Sequence, residues 1–152
     1  MSQKTVFEEI WDNPEAAYAL YVDKKNRFMV IPSSKMVTDN HVLVIPAEPV
    51  SLVDDLPDAR YRQLWELVRI TRQHLARTLQ PGRGVGTCVW GNQVSHTHVH
   101  VIARNQPHDG EAFFDPNLAL TTPEALKAVQ RRLAFPPVLQ KEAEARVTAA
   151  GL

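Results

Sequence analysis

The chain has 152 residues, 44% of them hydrophobic, and its seventeen Lys and Arg are balanced by seventeen Asp and Glu. That length buries one substantial core and is short for two, and the even charge without a basic block gives no electrostatic case for binding a nucleic-acid polymer or an anionic membrane. No apolar run is long enough to span a bilayer and "MSQKTVFEEIW" lacks the basic and apolar regions of a signal peptide, so a cytoplasmic protein acting on a small ligand is expected.

In chain order, residues 14–22, "PEAAYALYV", are ambiguous, since "EAAYA" favours helix and "LYV" strand. "DKKN" reads as a turn, and the β-branched runs "RFMVI" and "HVLVI", bounded by Pro, Asn and Asp, read as strands. Between Asp58 and Leu79 apolar residues recur at Tyr61, Leu64, Val68, Leu75 and Leu79, which is helical spacing, with Asp58 as a cap after Pro57 and "QPG" as the stop. "GVGTCVW" and "SHTHVHVIA" follow as two strand-like runs around the turn "GNQ". Strands, one long helix and a closing hairpin make the fold class α+β. Beyond residue 105 prolines and "FFDP" interrupt the pattern. One helix, "TPEALKAVQRRLA", is expected there with Thr122 as its N-cap, and a second, "LQKEAEARVTAA", is Ala-rich and prone to fray.

Three of the six histidines stand at alternate positions in "SHTHVHVI". On a strand, alternation sends His96, His98 and His100 to one face and Thr97, Val99 and Val101 to the other, against the long helix, which leaves the histidine face for chemistry. Three readings compete. The rings could simply decorate an exposed strand face. They could chelate zinc, as alternate histidines on a strand do, although the flanks "GNQVS" and "VIARN" carry no acid to orient such ligands. Or a neutral imidazole could attack phosphorus without a general base, its neighbours fixing its tautomer and donating to the phosphoryl oxygens. The single Cys88 excludes an intrachain disulfide and a CxxC zinc knuckle, and reads as a small buried residue.

"HTHVHVI" resembles the motif of the HIT (histidine triad) family, His-x-His-x-His followed by two hydrophobic residues, and "HVLVIP" resembles the strand that supplies that family's fourth histidine. With the order of elements, the similarity covers residues 18–104. It implies a HIT-like fold, an antiparallel sheet of about five strands with one long helix packed on it, and a division at 1–105, with 106–152 an extension packed on the domain or at a dimer interface. It also implies a nucleotide hydrolase cleaving a phosphoramidate or phosphoanhydride bond through a nucleotidyl-histidine, with no metal or other cofactor in the chemical step. His98 would be the nucleophile, His100 would contact the phosphoryl or bridging oxygen, and His96 and His41 would pack behind His98 and fix its tautomer. Where related transferases carry Gln, His100 points to hydrolysis. A homodimer is implied too, with Tyr61, Trp65 and Cys88 near its interface.

The surroundings depart from the family pattern. Ser33 stands where an Asp usually holds the ribose, Asn40 replaces the Gly before His41, and Pro49 occupies the place of a second histidine. The short "WGNQVSH" leaves Asn92 and Gln93 as the candidates to meet the phosphate, each also readable as a plain turn. Trp90 could stack on a base or pack in the core. Arg104 could reach a phosphate or sit exposed at a strand end, while His74 and His108 read as solvated. A nucleotide- or metabolite-binding protein without turnover, or a histidine metalloprotein, are the alternatives.

Overall fold

Five short strands pair antiparallel in the order β1-β2-β3-β5-β4: β1 Tyr21–Asp23, β2 Phe28–Pro32, β3 His41–Pro46, β4 Val85–Cys88 and β5 Val99–Ala103. The computed structural model describes residues 4–91, 94–115 and 117–152. β1 is preceded by a 3-10 turn over Pro14–Ala17, so the ambiguous run contains both helical and extended backbone, with Tyr18 in the left-handed region between them at φ 58°. The β1–β2 turn is held by the buried Asp23 carboxylate, which accepts from the Asn26 backbone N–H at 2.7 Å and the Tyr21 hydroxyl at 2.7 Å.

Alternation divides the sheet into two faces. Val42, Val44, Val99 and Val101 are buried with Leu64, Leu67, Val68 and Leu75 of the long helix α2, Asp58–Leu79. Tyr61, which shares the apolar spacing of α2, is 39% exposed. Pro57 is the N-cap of α2 and no side chain caps it, so Asp58 is its first helical residue, where its charge still favours the helix N-terminus. The stop is made by Gln80, left-handed at φ 46°, ahead of the proline and glycine expected to end it.

The opposite face carries Met29, Ile31, Leu43 and Ile45, and it is not bare: Phe7, Ile10 and Trp11 of a first helix, α1 (Val6–Asp12), pack on it. This is also the histidine face, since His100 pairs with Leu43 and His41 with Ile102. The triad-bearing strand is shorter than expected. β5 begins at Val99 because continuing the register (Val44 opposite Val99) would set Thr97 against Pro46, which has no N–H for the ladder. The Thr97 N–H instead donates to the Val50 carbonyl at 2.7 Å. His96 and His98 therefore lie in the approach to the strand, and only His100 within it.

The tail is tightly docked. α3 (Pro123–Leu133) starts at Thr122, whose hydroxyl accepts from the Ala125 N–H, and α4 (Pro137–Ala150) lies along α2. The expected fraying of α4 is not found, because Ala143 and Val147 are fully buried and the Arg146 guanidinium meets the Glu66 carboxylate at 2.6 and 2.9 Å. Tertiary packing, more than propensity, decides such a helix. His74 is likewise not solvated: its Nε2–H donates to the Leu133 carbonyl at 2.8 Å and its ring sits edge-on to Phe135. The tail also covers the outer edge of the first hairpin, where the Phe135 N–H donates to the Leu20 carbonyl at 3.0 Å and the Gln140 amide to Val22 at 2.9 Å. Leu133, fully buried between these layers, is the residue through which the tail contributes most directly to the core. Leu133→Ala is expected to destabilise the fold by about 2–5 kcal/mol, read as a lower urea midpoint at unchanged slope.

Candidate active site

Three imidazoles, of His41, His98 and His100, meet on the sheet face under α1, with that of His96 buried nearby. His41 Nε2 lies 2.8 Å from His100 Nδ1, and the His98 and His100 ring centroids are 4.8 Å apart. His96 is fully buried, His41 is 1% exposed, His98 6% and His100 9%. Burial lowers all four pKa values, since each charged form would lose its hydration. For His41 and His100 the fall is to about 3, with repulsion from the neighbouring rings adding to desolvation. The cluster is neutral at physiological pH.

Backbone partners then fix the tautomers. The Val37 N–H donates to His41 Nδ1 at 3.1 Å, so His41 carries its proton on Nε2 and donates it to His100 Nδ1. His100 in turn carries its proton on Nε2. His98 is set the opposite way, because its Nδ1–H donates to the carbonyl of His96 at 2.8 Å and leaves Nε2 unprotonated. Two adjacent neutral rings thus present one lone pair and one N–H donor. The tautomer of His98 is fixed by a main-chain oxygen, not by the side chains of His96 and His41 to which the sequence reading assigned that task.

His96 faces elsewhere. Its Nε2–H donates to the Pro46 carbonyl at 2.7 Å and its Nδ1 accepts from the Thr5 hydroxyl at 2.8 Å. Thr5 also caps α1 in a reciprocal box: its Oγ1 accepts from the Glu8 N–H at 3.1 Å, and the Glu8 carboxylate accepts from the Thr5 N–H at 3.0 Å. Phe7 meets both His96 and His98 edge-on, with centroids at 5.4 and 5.0 Å. Thr5→Val is expected to cost about 1–2 kcal/mol, as other lost caps do, and Thr5→Ser to restore most of it; thermal unfolding of the two variants checks this. Among the described residues, no three His, Cys, Asp or Glu side chains are placed to share a metal ion.

A cavity of about 440 Å³ opens onto His41, His98 and His100. Its walls come from α1 (Val6, Phe7, Ile10), the strands (Ile31, Leu43), the turn after β2 (Ser33, Lys35) and the tail (Ala112, Leu118, Leu126). The tail is stitched there: the Thr121 N–H donates to the Ser34 carbonyl at 2.7 Å, and its hydroxyl donates to the Ser33 carbonyl at 3.1 Å.

A family model described as HIT domain matches residues 15–107. The chain belongs to the HIT family. Solved structures agree with that fold: a HIT-like protein involved in cell-cycle regulation from Bartonella henselae, with an unknown ligand, superposes with a TM-score of 0.72 at 17% identity, over 88% of this chain and 96% of that one. A zinc-bound histidine triad protein from Mycobacterium smegmatis gives 0.61 at 22% identity over 95% and 96%. A HIT family hydrolase from Legionella pneumophila gives 0.57 at 18% identity over 68% and 95%. No protein among curated sequences matches the chain.

Within this HIT fold the substituted positions fall as follows. Ser33 lies in the cavity wall, but its hydroxyl is held in a turn, accepting from the Lys35 N–H and donating to the Lys35 carbonyl, both at 3.2 Å. Asn40 is not in the left-handed region; its side-chain oxygen instead accepts from Arg132 at 3.0 Å, another tie to the tail. Asn92 and Gln93 lie outside the described residues. Trp90 does not end a strand or enter the core: β4 stops at Cys88, and Trp90 is 54% exposed beside a second cavity. Arg104 is turned away from the histidines and donates to the carbonyls of Asp109 and Pro107 at 3.1 Å. His108 is exposed. Sequence reasoning missed the whole N-terminal wall, Thr5 and Phe7 included, although the signal was present in "TVFE", a Thr with Glu three residues on. It also missed Lys35 and Asp115 on the cavity wall, which no local pattern marks.

Proposed function

We propose that this HIT protein is a nucleotide hydrolase that cleaves a P–N or phosphoanhydride bond through a covalent intermediate on His98. The observation that carries this reading is the opposed tautomers of two neutral neighbouring rings facing one cavity. His98 Nε2 attacks phosphorus with its lone pair, and the ring's positive charge is met by the His96 carbonyl on Nδ1. The bond to the leaving atom breaks with its electron pair going to that atom, which takes a proton from a pocket water. The hydroxide so formed then attacks phosphorus, the Nε2–P bond breaks, and the pair returns to His98. Atoms balance with one water consumed. His100 Nε2–H donates to a phosphoryl oxygen where charge develops, and His41 holds His100 in the tautomer that can do so.

Incubation with an adenosine phosphoramidate and a dinucleoside polyphosphate, with and without a chelator, tests this. Turnover unaffected by chelator is the expected result; no turnover of either compound removes the hydrolase reading, and loss with chelator moves it to metal chemistry. A nucleotide-binding protein without turnover is a second reading, favoured by the Ser33 hydroxyl being engaged within its own turn. Calorimetric binding without turnover would select it. The protein is further proposed to act as a homodimer through the β4 edge, where Cys88 stands, and the adjoining end of α2 with Tyr61 and Trp65; the opposite sheet edge is the one covered by the tail. Among the described residues no helix is long and apolar enough to cross a membrane.

A further inference from the structure

The turn after β2 is held along its backbone, yet it carries a charge with no partner. The Ser33 N–H donates to the His41 carbonyl at 2.9 Å, and the Ser33 hydroxyl bonds both the N–H and the carbonyl of Lys35, each at 3.2 Å. The Met36 N–H donates to the Thr121 hydroxyl at 3.0 Å and the Val37 N–H to His41 Nδ1 at 3.1 Å. The backbone around residue 35 is thus tied to the histidine-bearing strand β3 on one side and to the tail on the other. The Lys35 side chain is half-buried in the wall of the histidine cavity, and among the described residues its ammonium makes no ion pair.

The charges around that cavity give the side chain its importance. Lys35 is the only Lys or Arg among the described residues of the wall, which it shares with two exposed carboxylates, Glu9 and Asp115. The histidines add no positive charge, since burial keeps their rings neutral. Without Lys35 a phosphate would enter a largely apolar space whose remaining fixed charges repel it. Resting on the nucleotide-hydrolase reading, we propose that Lys35 binds the substrate phosphate, its ammonium pairing with an anionic oxygen of the nucleotide, so that negative charge is the property by which the cavity selects its ligand. The Ser33 hydroxyl then acts as a positioning group, because it fixes the backbone that carries this ammonium.

Calorimetry with AMP and with adenosine, on the parent, Lys35→Met and Lys35→Arg, tests the assignment without depending on turnover. The parent is expected to bind AMP more tightly than adenosine, and Lys35→Met to lower that preference by about 10- to 100-fold while adenosine binding stays the same. Lys35→Arg should keep most of it. The AMP affinity of the parent should fall with added salt, and that of Lys35→Met should fall much less. Thermal unfolding midpoints should agree among the three proteins, since the ammonium has no partner to lose. An AMP preference in Lys35→Met within twofold of the parent's overturns the assignment. So does a Met variant that loses AMP and adenosine affinity alike, which would make Lys35 a part of the wall only, and so does a parent that does not distinguish the two ligands. A Lys35-dependent AMP preference in a protein that cleaves neither an adenosine phosphoramidate nor a dinucleoside polyphosphate keeps this site and removes the hydrolase reading.

Discussion

Replacing His98 by Asn is expected to abolish turnover, with a loss on the order of 10⁴-fold or more, while nucleotide binding and the unfolding midpoint stay close to the parent's. The amide can still donate to the His96 carbonyl in the place of Nδ1–H, so the approach to β5 keeps its hydrogen bond. What disappears is the unprotonated nitrogen. Single-turnover assays with a nucleotide labelled at the α-phosphate give the second half of the test. The parent should yield an acid-labile, protein-bound label and the variant none. A variant that turns over at the parental rate would remove His98 as nucleophile, whatever the other rings do.

The second large effect is on stability at low pH. In the unfolded chain His41 and His100 titrate near 6.5, and in the folded protein near 3. Between those values the unfolded state holds protons that the folded state excludes, so stability falls as pH falls through that window. It does not change on this account above pH 6.5. Each ring contributes about 1.4 kcal/mol per pH unit. Urea unfolding at pH 8.5, 7.5, 6 and 5 should show stability nearly constant over the first interval and then dropping ever more steeply. His41→Asn, which removes one titrating ring, should flatten that drop by about one ring's share. A parent equally stable at pH 7.5 and 5 would contradict the neutral, buried cluster.

Much of the fold was readable because it follows two simple periods. The strand alternation of "HVLVIP" and "VHVIA", and the helical spacing from Leu64 to Leu75, each placed a face correctly, since burial acts on every second or every third to fourth residue. The misreadings cluster where a non-local partner decides. Nothing near His96 in sequence announces that Pro46, fifty positions earlier, will shorten its strand and accept its hydrogen bond. His74 reads as solvated until Leu133 supplies a carbonyl to it. α4 reads as a weak helix until α2 gives its alanines something to bury against. The site divides in the same way. The row of histidines was legible from its spacing, but the walls that shape its cavity come from three separated stretches of chain, one of them the tail beyond residue 105.

The hydrogen bond from Thr5 to His96 joins residues 91 positions apart. During synthesis α1 emerges first and has no ring to dock against until the approach to β5 has left the ribosome. A nascent chain that already contains β1, β2 and β3 therefore holds His41 but neither its partner His100 nor His98. Completion of the histidine cluster and closure of the N-terminal helix over it become one late event, and a chain that stops before residue 96 leaves α1 without the ring it docks against.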